Sequence, residues 1–167
     1  MASRREFVRL AAMGVSLAAT RGYSKDRTAD EALHDLIRGN ERFAKGRPTG
    51  PRRRPEDFSA LAEGQYPEAV IVSCSDSRVA PEILFDVGVG DIFVIRVAGN
   101  MIGGAGVSVK GSIEYAIAEL HVPLIVVLGH SGCGALKSAI KHIDAKDRLP
   151  RWYRRTRCSS GCWHSGF

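Results

Sequence analysis

Hydrophobic residues along this chain follow two rhythms. Over Ala29–Lys45 (ADEALHDLIRGNERFAK) apolar positions fall at Ala32, Leu33, Leu36, Ile37 and Phe43, the spacing of a helix with one apolar face. Gly46-Arg47-Pro48 ends it. From Glu68 the rhythm changes to short β-branched runs, AVIVSC (69–74), DIFVIR (91–96) and PLIVVLG (123–129), without polar alternation. Strands covered on both faces of a parallel sheet read this way. Between the last two runs, Val107–Leu120 sets Ile113, Ala116, Ile117 and Leu120 on one side of a helix, and a further helix is expected over Ala135–Asp144. Strand–helix–strand alternation predicts a three-layer αβα fold around a central, mainly parallel sheet.

The N-terminus breaks both rhythms. Ser3-Arg4-Arg5-x-Phe7-Val8, followed by the mildly apolar Leu10–Thr20, looks like a twin-arginine export signal over residues 1–27. The apolar stretch is short of the roughly 20 residues that span a bilayer, so no stable membrane span is expected. Export places the protein in the periplasm. An ordinary basic amphipathic N-terminus, and a cytoplasmic protein, is the alternative.

Composition changes the picture only once it is divided along the chain. The 167 residues carry a formal net charge of +6 and a pI near 9.4, which invites a nucleic-acid reading. Residues 1–54 hold 13 basic and 6 acidic groups, and residues 141–167 hold 7 and 2. Residues 55–140, where the β-branched runs lie, hold 4 basic and 10 acidic groups. The basicity belongs to the ends, and no nucleic-acid partner is expected. The Pro/Arg-rich stretch 46–56 (GRPTGPRRRPE) has no aromatic between its arginines and reads as a solvated loop. A hydrophobic content of 44% excludes a mainly disordered chain. Four cysteines, Cys74, Cys133, Cys158 and Cys162, are too few for a disulfide scaffold.

Two of the expected strands run into chemistry. The first ends in Cys74-Ser75-Asp76-Ser77-Arg78 and the third in Gly129-His130-Ser131-Gly132-Cys133-Gly134. Sites in open α/β sheets gather beyond the carboxyl ends of strands, so Cys74, His130 and Cys133 can meet although far apart in sequence. Two thiolates and an imidazole suit Zn²⁺, and three protein ligands leave a fourth position open, as in catalytic sites. Taken singly, the cysteines read more readily as small buried hydrophobes and the histidine as a hydrogen-bonded turn residue; together, with Asp76, Arg78 and Ser131 at the same strand ends, they read as a metal site. Asp76 and Arg78, two apart on an extended strand end, point the same way and can form a bidentate pair that keeps the carboxylate ionised. Asp76 would then accept a proton or cap the metal; a plain salt bridge is the alternative.

CSDSRVAPEILFDVGVGDIFVIRVAGN (74–100) and SIEYAIAELHVPLIVVLGHSGCGA (112–135) closely resemble the β-class carbonic anhydrases, which carry Cys-x-Asp-x-Arg and His-x-x-Cys around one zinc. The likeness runs from about Asp30 to Asp144, within a zinc domain set at 28–145. It implies reversible hydration of CO₂ to bicarbonate and a proton, one Zn²⁺ per chain on Cys74, His130 and Cys133, and Asp76 with Arg78 as catalytic dyad. By position, Gln65 matches the family's substrate-channel glutamine, and Phe93, Ala98 and Tyr115 match its apolar wall. The N–H of Gly134 would face the bicarbonate anion. For Phe93 and Tyr115, plain core packing is the alternative. The family builds part of that wall from a second subunit, so a homodimer or higher oligomer is implied.

The match is incomplete. Where some members hold a regulatory bicarbonate with a Trp three residues before the first Cys, this chain has Ile71, although Arg96 is present. After Asp144 the chain reads RLPRWYRRTRCSSGCWHSGF (148–167) and no family counterpart is evident, so residues 146–167 are expected to be an atypical tail after a truncation. That would leave the third strand as an exposed edge. Cys158, Cys162 and His164 in a Gly/Ser-rich tail are weak evidence for a second metal. Two other functions remain open on the same residues: a zinc-holding remnant without catalysis, and hydrolysis of CS₂ or COS.

Overall fold

The computed structural model describes residues 27–102 and 107–147. The expected signal segment, apart from Arg27, and the 148–167 tail with Cys158, Cys162 and His164 lie outside those residues.

Helix α1 (Ala29–Ala44) starts where its sequence says it should. The Thr28 side chain accepts the Glu31 N–H while the Glu31 carboxylate accepts from the Thr28 N–H, closing a capping box worth about 1 kcal/mol. Its buried positions are Ala32, Leu36 and Gly39. Gly39 is there for contact, since a Cβ at that position would stand 1.7 Å from the Phe85 carbonyl oxygen.

Strand β1 (Ala69–Cys74) is buried along its whole length, as an unbroken apolar run requires. It is the centre of a parallel sheet of order β2-β1-β3, with β2 at Ile92–Val97 and β3 at Ile125–Leu128. Helix α2 (Pro81–Leu84) follows β1, and a 3₁₀ turn (Ala98–Asn100) follows β2. Helix α3 (Val107–Ala118) precedes β3, and α4 (Gly134–Asp144) follows it. The strand alternation of β1 sorts the core into two halves. Val70 and Val72 pack with Ile95 of β2, Val109 and Ala116 of α3, and Val122. Ala69 and Ile71 face the other way onto Leu36 of α1, with Phe85, Val87 and Leu124 around them. Helices thus cover both faces, and the expected αβα layering stands with three parallel strands among the described residues.

Four details differ from the sequence reading. Except for β1, the expected elements begin or end one or two residues away from their expected bounds, as at β3 and α3. A 3₁₀ helix (Pro55–Leu61) and the short α2 carry no periodic signal and were not expected. The run of β3 is covered on one face only, for Ile125 and Val127 are 42% and 55% exposed. That β3 is an edge of the sheet among the described residues agrees with the sequence reading. The arginine stretch is exposed over most of its length, as expected of a solvated loop, but two of its arginines are tied to the body of the domain. Arg52 pairs with Asp91, and Arg53 donates to the carbonyls of Glu82 and Val87 at 2.9 and 3.1 Å. Thr49 and Gly50 donate their N–H groups to Asp86, which Arg42 of α1 also holds at 2.6 Å. Asp86 is a buried carboxylate with several donors around it. Burial alone would raise its pKa, but the N–H groups of Thr49 and Gly50, the Arg42 guanidinium and the Thr49 hydroxyl drive it well below the usual range.

Candidate metal centre

The strand order decides where the chemistry gathers. From β1 the chain crosses through α2 to β2 on one side, then through α3 on the opposite face to β3 on the other side. The carboxyl ends of β1 and β3 are therefore adjacent at the point where the order reverses, the usual place for a site in such sheets. Cys74 is the last residue of β1, and His130 comes two residues after β3. Cys133 caps the N-terminus of α4. Gly132, with φ +67°, makes the turn between the two ligands in the left-handed region that glycine enters without strain.

The donor atoms of Cys74, His130 and Cys133 all lie within 4.8 Å of one another, and the two Sγ atoms are 3.9 Å apart. Both cysteines are buried and unpaired in any disulfide. His130 Nδ1 stands 3.1 Å from the carbonyl oxygen of Ser131. A carbonyl can only accept, so Nδ1 carries the proton and Nε2 presents a bare lone pair. That Nε2 is buried and without a hydrogen-bond partner. An orphaned buried imidazole nitrogen beside two thiols is costly unless a cation completes it, and the donor set fits zinc.

The environment of Cys74 already favours a thiolate. Burial raises its pKa, but the Gly99 N–H at 3.2 Å, the Asp76 N–H at 3.4 Å and the neighbouring Cys133 bring it down. The Gly99 donor could not be read from the sequence, because a backbone N–H has no residue signature. Its placement needs φ +73° at Gly99, just past the end of β2.

Beside the ligands, Arg78 holds Asp76 through both carboxylate oxygens, Nε to Oδ1 at 2.9 Å and Nη2 to Oδ2 at 2.7 Å. The Arg78 side chain, then its N–H, keeps Asp76 well below the usual carboxylate range. The pair forms for a different reason from the one expected. Residues 75–78 have left the strand, and the Arg78 N–H donates back to Asp76 Oδ1 at 3.1 Å, an Asx turn that brings the two side chains together. Asp76 Oδ2 stands 3.9 Å from His130 Nε2, so the dyad borders the ligand set.

The expected pocket residues are more scattered. Phe93 and Tyr115 do face each other, ring centroids 6.2 Å apart, but Phe93 also packs on the core of α3 and Tyr115 is half exposed. Ala98 opens the 3₁₀ turn after β2, Gly134 is the first residue of α4, and both are exposed. Gln65 is exposed in the segment before β1.

Fold and site together define a parallel α/β protein with a thiolate–imidazole–thiolate centre at its strand ends. A sequence model of the carbonic anhydrase family matches residues 69–160, running past Asp144 into the segment where no counterpart was evident. The chain is 53% identical over 120 residues to carbonic anhydrase 2 of Mycobacterium tuberculosis, covering 72% of this chain and 56% of that protein. It is 53% identical over 114 residues to the carbonic anhydrase of Mycolicibacterium smegmatis, covering 68% and 52%. Among solved structures, that of the β-carbonic anhydrase CcaA superposes with a TM-score of 0.54 at 37% identity, over 73% of this chain and 59% of that one. The chain belongs to the carbonic anhydrase family, in its β class. It spans little more than half the length of the curated relatives it matches.

Proposed function

We propose that the protein hydrates carbon dioxide reversibly to bicarbonate and a proton, with one Zn²⁺ held by Cys74, His130 and Cys133. The observation that carries this is the convergence of three ligand atoms within 4.8 Å, bordered by an ionised Asp76. What zinc supplies when bound is a water whose pKa falls from about 15.7 to about 7. Asp76, kept charged by Arg78, is the acceptor for a proton leaving that position. Arg78 also donates to the Gly132 carbonyl at 3.3 Å, so one guanidinium ties the carboxylate to the loop that carries two of the ligands. Phe93 and Tyr115 offer an apolar wall suited to an uncharged gas, and the exposed N–H of Gly134 offers an anchor for the product anion. Gln65 and Ala98, exposed in this chain, would complete the pocket where a second subunit covers them.

Stopped-flow CO₂ hydration on zinc-loaded protein tests the reading, with CS₂ and COS assayed beside it. A folded, zinc-loaded sample no faster than buffer on CO₂ would sink it, and turnover of the sulfur gases alone would move the substrate.

The uncovered Ile125 and Val127 on the edge strand support a self-associating protein, and the twin-arginine pattern at residues 3–8 supports export. Sedimentation velocity checks the first, and fractionation of an expressing cell the second. Among the described residues no helix is long and apolar enough to cross a membrane.

A further inference from the structure

Strand β2 reaches past the end of β1 and grips the turn that follows it. In the parallel register Ser73 faces Arg96 and Cys74 faces Val97. Beyond the last paired residue, the Ser75 N–H donates to the Val97 carbonyl at 3.0 Å, which carries the ladder one step further. Arg96 then leans over the strand end. Its Nε donates to the Cys74 carbonyl at 3.1 Å and its Nη2 to the Asp76 carbonyl at 2.7 Å. The Asp76 N–H, inside the same turn, points to Cys74 Sγ.

These contacts place unlike functions under one side chain. Cys74 is a candidate metal ligand, and Asp76 is the acid–base residue beside it. Between them lies only Ser75, in an irregular turn whose internal bonds, the Arg78 N–H to Asp76 Oδ1 and the Val79 N–H to the Asp76 carbonyl at 2.9 Å, tie the turn to itself. A peptide turn of this kind rotates easily unless its carbonyls are fixed, and rotation would swing the Asp76 carboxylate away from His130 Nε2. Arg78 is the weaker restraint, because it moves with the same turn and its bond outside it, to the Gly132 carbonyl, is long at 3.3 Å. Arg96 is the stronger, because it is rooted in a different strand. A planar guanidinium is also the one side chain that spans two carbonyls with fixed geometry; an ammonium holds a point, not a plane.

We propose that Arg96 is a positioning residue: by holding the Cys74 and Asp76 carbonyls together, it fixes the Asp76–Arg78 dyad relative to the metal ligands. The proposal rests on the carbonic anhydrase reading for its kinetic consequence but not for its geometric one.

The test compares wild type with Arg96→Met, which keeps length and loses both donor nitrogens, and Arg96→Lys, which keeps the charge on a single donor nitrogen. Zinc per chain, the visible spectrum of the cobalt(II)-substituted protein, and the steady-state constants for CO₂ are read on each. Residues around a ligand typically change activity or metal affinity by about 10–100-fold when removed. The expected result for Arg96→Met is retained zinc, an altered cobalt spectrum, and kcat lower by roughly 10-fold or more with KM within about 2-fold. Arg96→Lys should recover part of both the spectrum and kcat. An Arg96→Met protein with the wild-type cobalt spectrum and kcat overturns the proposal. So does loss of cooperative unfolding in both variants, which would make Arg96 a residue of the fold and not of the site. If the wild type shows no CO₂ hydration while the cobalt spectrum still changes with Arg96, the clamp stands and the reaction assigned to the site fails.

Discussion

Arg78 grips Asp76 by both carboxylate oxygens while one of those oxygens, Oδ2, stands 3.9 Å from the orphaned Nε2 of His130. The carboxylate is thus charged, aimed and next to the ligand set at once. Removing its charge while keeping its shape separates these roles. Asp76→Asn is expected to keep zinc and the fold but to lower CO₂ hydration by about 10²-fold or more, the range of a lost acid–base group. Stopped-flow kinetics with zinc analysis on the same sample checks it. An Asp76→Asn protein at wild-type rate would leave the pair as a plain salt bridge.

The ligand set makes a different prediction. Cys74, Cys133 and His130 come from two strand ends and a helix cap, so an ion there ties β1 to the β3–α4 loop. Cys74→Ser and Cys133→Ser should each bring zinc from one per chain to near none. Chelation of the wild type should lower its melting temperature, since metal binding energy at such a site is folding energy. Two cysteine variants that keep full zinc would remove these thiols from the coordination sphere.

How much of this was legible in the sequence follows from what kind of signal each feature leaves. Strand β1 and the convergence of Cys74 with His130 and Cys133 could be read, because an unbroken apolar run and two motifs at strand ends constrain the geometry of a parallel sheet. The anchoring of the arginine stretch could not be read, because its partners, Asp86 and Asp91, lie some 35 to 40 residues away with nothing local to announce them. The half-open face of β3 was hidden for the opposite reason: Ile125 and Val127 look like core whether or not a helix covers them. The Asp76–Arg78 pair was expected from strand alternation and arises from an Asx turn, so the right contact had the wrong cause. The N–H of Gly99 on Cys74 Sγ is a backbone feature that depends on φ +73° at one glycine.

Asp86 gives a prediction with a pH sign. It is buried, and its folded-state pKa is held well below the usual value by its donors. Its stabilising contribution is therefore fully present above the unfolded value, about 3.9, and is lost as pH falls below that toward the folded value. Asp86→Asn leaves Arg42 without its carboxylate and weakens the bonds from Thr49 and Gly50, at a cost on the order of 3 kcal/mol at pH 7. Urea unfolding at pH 7, 5, 4 and 3 should show the wild type losing stability below about pH 4 and the variant changing less over that interval. Parallel curves for the two proteins would show that Asp86 does not hold the 46–54 segment in solution.

The seat of α1 on the end of α2 sets two known effects against each other at Gly39. In an exposed helix, Gly→Ala stabilises by about 1 kcal/mol because alanine has the better helix propensity. Here the added Cβ would lie 1.7 Å from the Phe85 carbonyl oxygen and 2.8 Å from its carbon. Both are backbone atoms, so no side chain can turn aside; the helix itself must lift. Lifting it strains the bond from Asn40 Nδ2 to the Leu84 carbonyl at 2.9 Å and opens the contact of Leu36 with Ala69 and Ile71. Overpacking costs about 1–3 kcal/mol even where side chains can adjust, so the clash should outweigh the propensity. Gly39→Ala is expected to lower the melting temperature by several degrees, at about 2–4 °C per kcal/mol for a chain of this size. A variant that melts higher than wild type would mean that α1 does not rest on Phe85, and with it that the Arg42–Asp86 bond does not join the helix to the sheet.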